Sequence, residues 1–125
     1  MAFSKLIRLL HQLISALEEK IGNKFVLKCL IAKDPNDISW ELVLYAPWLD
    51  KDETTRVSFV YDNIVSKLDS SVIIDFSGVM TTVTEDDVIR TLLATRENAK
   101  GKVILDNENI FQVDYPFAKM IIFLD

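Results

Sequence analysis

Few residues in this sequence have the types and spacing that chemistry requires. A nucleophile with its base needs a thiol or hydroxyl beside an imidazole, and the chain has one histidine, His11, and one cysteine, Cys29. His11 flanks the apolar stripe of a helical segment, where a partly exposed boundary residue accounts for it. Cys29 lies in the apolar run 25–31, where it reads as a small core residue. Asp50 and Asp52 raise a calcium loop, but Thr55 and Tyr61 stand where the sixth-position glycine and the twelfth-position acid belong. Asp34 and Asp37 suit a turn, and Glu85, Asp86 and Asp87 suit a helix start. No Cys or His spacing suits zinc, and Gly22, Gly78 and Gly101 are too isolated to form a phosphate-binding loop. The expectation is a chain with no metal, no cofactor and no catalytic set, more readily a binding protein than an enzyme.

One acid stands apart. Asp75 sits inside the densest β-branched and aromatic run, Val72, Ile73, Ile74 and Phe76, which predicts a strand buried on both faces. An acid there ends the burial, pairs with a partner or serves a site. The candidate ligand site is therefore Asp75 with the hydroxyls that follow it, Ser77, Thr81, Thr82 and Thr84. Ser77-Gly78 reads either as the two-residue turn of a hairpin returning over 79–83 or as a loop feeding a helix that starts at Thr84.

The elements that must position these residues follow from periodicity. Phe3, Ile7, Leu10, Ile14, Leu17 and Ile21 recur at helical spacing, with Ser4 as N-cap and Gly22 as the stop. Leu6, Leu9 and Leu13 widen the apolar arc to nearly half the circumference, so the excess covers either a partner or a deep wedge position. Residues 25–32 and 38–46 predict a hairpin across the turn 33–37. Residues 54–68 favour a helix, with Asp50 and Glu53 at capping-box spacing; a third meander strand followed by a short helix is the alternative. Thr84 and the three acids after it predict a helix running to Gly101. Residues 102–105 and 110–113 predict strands around the polar loop 106–109, and 117–124 a last apolar run that must be pinned in a sheet or at an interface.

The segment Val72-Ile73-Ile74-Asp75-Phe76-Ser77-Gly78-Val79, with the capped helix from Thr84 and the strand over 102–105, resembles the strand, loop and helix of a STAS domain of the anti-sigma-factor-antagonist type. The resemblance covers about a third of the chain. It implies an α/β fold and a regulatory Ser or Thr near Thr81, Thr82 or Thr84. This chain lacks the Asp-Ser pair usual there, and its N-terminal helix and apolar C-terminal run depart from the usual order.

Composition bounds the rest. The chain has 125 residues, half of them hydrophobic, with three Gly and three Pro, which fits one element-rich domain with a single core. With 14 basic and 19 acidic residues the net charge is −5, which disfavours nucleic acid. One unpaired cysteine fits a reduced, cytoplasmic setting, and charges interrupt the N-terminal apolar run before it resembles a signal peptide or a membrane span. The fold expected is α+β: a mainly antiparallel sheet with about three helices packed largely on one face, or, from the resemblance, a STAS-like α/β domain. The function expected is a small interaction or regulatory protein that works through protein contacts and self-associates as a homo-oligomer through Leu6, Leu9, Leu13, Ile121 and Phe123. The rival is a small-ligand-binding or hydrolytic domain around Asp75 and the 77–84 loop.

Overall fold

The computed structural model describes residues 2–32, 39–73, 76–97, 102–104, 107–115 and 118–123. Asp75, the turn 33–37, Gly101 and Asp106 lie outside them.

The N-terminal stripe forms α1 (Ala2–Ile21), which begins two residues before Ser4, so Ser4 lies inside the helix and is not its cap. It ends as expected at Gly22, whose φ of 80° suits a residue without a Cβ and whose N–H donates to the Glu18 carbonyl at 2.8 Å. The hairpin is β1 (Leu27–Ala32) and β2 (Trp40–Tyr45), antiparallel and in register from Leu27↔Tyr45 to Ala32↔Trp40. Helix α2 (Glu53–Asn63) and a 3-10 turn (Val65–Lys67) fill the segment whose periodicity favours a helix. The cap is Asp52 rather than Asp50: its carboxylate accepts the Thr55 N–H at 2.7 Å.

The largest departure from the sequence reading follows. Residues Ser70–Ile73 are a helical turn, α3, with Val72 buried and Ile73 42 % exposed, where a strand buried on both faces is expected. Asp69 is the reason. Its carbonyl accepts the N–H groups of Val72 and Ile73, its carboxylate accepts the N–H and hydroxyl of Ser71, and Lys5 of α1 pairs with it at 2.8 Å. This local cap satisfies the backbone in a helical geometry and outweighs the β propensity of the Val-Ile run.

The strand begins only at Phe76. Strand β3 (Phe76–Thr82) runs parallel to β2, and α2 and α3 make the crossover between them. Ser77-Gly78 is neither a hairpin turn nor a strand-to-helix loop. The register steps from Trp40↔Phe76 to Glu41↔Gly78, so Ser77 is the extra residue of a bulge, with Gly78 at φ 151°. The bulge also puts Phe76 and Val79, three apart, against the same core layer. Helix α4 (Asp87–Glu97) is capped by the Asp86 carboxylate on the Ile89 N–H at 2.9 Å, not by the Thr84 hydroxyl. Strands β4 (Lys102–Ile104), β5 (Asn107–Tyr115) and β6 (Ala118–Phe123) complete the chain, and β5 takes in Asn107, Glu108 and Asn109, expected as loop.

The result is α+β: one six-stranded sheet in the order β3-β2-β1-β6-β5-β4, antiparallel throughout except for β2 and β3. The C-terminal run is pinned in the sheet between β1 and β5. Leu30, Ala32, Trp40, Leu42, Leu44, Ile121 and Phe123 face the layer of α1, α2 and α3, while Cys29, Val43, Met120 and Ile122 face α4 through Ile89 and Leu92. Three helices thus share one face and the fourth covers the other. The STAS-like alternative gives way, since the segment carrying the resemblance is a helical turn followed by a bulged strand. No helix among the described residues is long and apolar enough to cross a membrane.

Candidate functional site

The hydroxyls expected to converge do not. Alternation sends Thr81 and Thr82 to opposite faces of β3. Thr81 is buried; its hydroxyl accepts Nε of Arg56 at 3.2 Å and its carbonyl accepts Nη2 at 3.4 Å. Arg56 also donates to the Lys51 carbonyl, so α2 is stapled to β3 at this point. The Thr82 hydroxyl donates to the Thr84 carbonyl at 3.0 Å and accepts the Thr84 N–H at 3.2 Å, which closes the turn that leaves the strand. Ser77 is exposed on the bulge, and Asp75 lies outside the described residues. Two of the four described hydroxyls, those of Thr81 and Thr82, are held in structural bonds.

What the segment does present is a strand edge. β3 has one neighbour, β2, among the described strands. The Thr82 carbonyl accepts the Ala46 N–H at 3.1 Å, so Thr82 and, by alternation, Met80 turn their peptide groups toward β2. Val79 and Thr81 therefore turn theirs outward. The outward carbonyl of Thr81 is the one that Arg56 occupies; the N–H and carbonyl of Val79 and the N–H of Thr81 bond to no described residue. From Phe76 to Val83 there is no ionisable side chain, and Phe76, Val79 and Met80 stay half-buried where Leu42, Val43 and Leu44 of the neighbouring strand are buried.

The residues expected at an interface lie elsewhere. Leu6, Ile121 and Phe123 are 0–1 % exposed inside the chain's own core, and Leu9 and Leu13 pack half-buried against that core. The wide apolar arc of α1 is thus used within one chain: the helix packs in the same layer as α2 and α3 against one face of the sheet. These five residues have their apolar contacts already.

A polar cluster beneath α1 is absent from the sequence reading. Glu18 and Lys28 are 6 % and 4 % exposed and paired at 2.6 Å, and the second Glu18 oxygen accepts the Phe25 N–H at 2.8 Å. His11, one and a half to two turns earlier on α1, stacks on Phe123 with ring centroids 6.0 Å apart. Its Nε2 is buried with no hydrogen-bond partner among the described residues. Desolvation and the Lys28 cation hold this imidazole below its ordinary pKa, against a smaller opposing pull from Glu18. The i, i+7 spacing of His11 and Glu18 puts them on one helix face, which is the only sequence signal of the cluster; the lysine in the run 25–31 gives no sign of pointing inward. Cys29 is buried on the α4 side of the sheet, and burial pushes its thiol up to about 12, so it is not a nucleophile at neutral pH.

A recess of about 410 Å³ opens at the end of α1 between Ser15, Glu18, Glu19, Gly22, Asn23 and Lys24, and another of about 80 Å³ lies by Leu13, Asn63 and Lys67. Neither is lined by residues 77–84. No group of three or more acids, histidines and cysteines among the described residues is placed to hold a metal ion. No family model, no curated protein and no solved structure matches the chain.

Proposed function

We propose that this chain is a small interaction or regulatory protein that works through protein contacts, a second copy of itself among them, and that its contact surface is the outer edge of β3. The observation that supports this is the outward peptide group of Val79, in a strand edge without a charge or a proline. Exposed edges are ordinarily blunted by lysine, proline or a covering loop, because an unpaired ladder binds any extended backbone. Here the bulge at Ser77 and the Arg56 cap close the two ends and leave the centre without a partner among the described residues. An extended segment added at this edge gains main-chain hydrogen bonds, while the half-buried Phe76, Val79 and Met80 supply side-chain contacts on both faces.

The test is a displayed library of random extended peptides selected against the parent chain. Selected peptides are expected to lose binding to Val79→Pro, which deletes the outward N–H without touching the ladder to β2. Peptides that bind Val79→Pro as well as the parent contradict the edge as the contact surface.

A further inference from the structure

We propose that the occupant of the β3 edge is β3 of a second copy, paired antiparallel about a two-fold axis at Val79. This rests on the strand-addition reading above and names its partner. The first argument is charge. Each copy carries −5, so two copies repel least where the surface has no acid. Residues 76–83 carry no ionisable group, and the side chain that reaches this edge from α2 is a cation, Arg56.

The second argument is register. Val79 turns both its N–H and its carbonyl outward, so two Val79 residues facing each other exchange two hydrogen bonds, the closely spaced pair of an antiparallel ladder. The next outward residue, Thr81, then falls opposite Ser77, and Met80 falls opposite Gly78, the largest side chain of the strand's centre against none. Strand β3 is its own complement in this register.

The third argument is closure. The bulge at one end and Arg56 at the other limit the open backbone to a central window, and a two-fold pairing uses it up on both copies. An isologous contact of this kind ends at the dimer and does not propagate. It continues the sheet from six strands to twelve and sets the α2 helices of both copies on the same side. The contact belongs to the small, transient class, so the dimer forms at micromolar rather than nanomolar protein.

Sedimentation velocity across about 5 to 200 µM protein tests this. The parent is expected to move from the mass of one chain toward two, while Val79→Pro, folded by circular dichroism, stays at one. Ser77 supplies a second test that leaves the backbone alone: opposite the partner's Arg56–Thr81 end, Ser77→Lys sets cation against cation and raises the dissociation constant about tenfold, and Ser77→Asp lowers it. A parent that sediments as one chain throughout, or a dimer indifferent to all three variants, overturns the proposal. A monomer that still captures peptides through Val79 overturns the dimer and leaves strand addition standing, so the two failures are told apart.

Discussion

Burial first, and the Lys28 cation after it, hold the His11 imidazole below its ordinary pKa in the layer it shares with Phe123, which favours the neutral ring in the folded chain. Its folded pKa lies below the ordinary 6.5, so the unfolded chain takes up the proton first as pH falls. Stability contributed by the neutral imidazole is therefore intact above pH 6.5 and drains away below it, until the folded pKa is reached. Urea unfolding of the parent at pH 7.5 and at pH 5 is expected to show this loss, and His11→Gln to show less of it. Asp69 acts in a lower window: hydrogen bonds from Lys5 and Ser71 hold its carboxyl at about 2, so its contribution fades only below the ordinary 3.8. The Glu18–Lys28 pair is expected to cost about 3 to 5 kcal/mol when Glu18→Leu removes the carboxylate, and far less when Lys28→Met is added, because a buried cation that loses its 2.6 Å counter-charge is the expensive species. Equal losses in the single and double variants, read from denaturant midpoints, would contradict that account.

At the scale of the element, caps decide more than propensity. Asp52→Ala and Asp86→Ala each remove a carboxylate that caps the first turn of a helix, and each is expected to lower the midpoint of chemical denaturation. The helices α1, α2 and α4 are legible from their apolar spacing, although the capping residue falls two positions beyond the expected one in α2 and α4 and Ser4 lies inside α1 rather than at its start. Val72 and Ile73 depart from the strand that their β-branched composition predicts, because the deciding group, Asp69, lies just upstream, paired with Lys5 of α1. Ser77-Gly78 reads as a hairpin turn or a strand-to-helix loop because a glycine after a polar residue is a common chain-reversal signal; a glycine inside a strand marks a bulge equally well, and only the register against β2 separates these. The Glu18–Lys28 pair was invisible for a similar reason: a charged residue in an apolar strand gives no sign of which face it takes until the helix above it is placed.

The whole molecule is organised by where its last strand goes. β6 pairs with β1 on one side and β5 on the other, so it joins the β3-β2-β1 half of the sheet to the β5-β4 half. Deleting residues 118–125 is expected to abolish cooperative unfolding, and a truncated chain with the parent's melting transition would show that the halves do not depend on β6. The apolar C-terminal run was legible as something that must be buried; its position in the middle of the sheet was not, since pairing order is set by contacts far apart in sequence. The same order leaves β3 at the edge with an uncharged centre, and that edge is where the functional reading rests. Residue-resolved amide exchange across a protein dilution series tests it most directly. The inward amides of Met80 and Thr82 are expected to be protected at every concentration, while those of Val79 and Thr81 exchange quickly when dilute and slow as the protein is concentrated; a Val79 amide whose exchange is the same throughout the series would contradict the account.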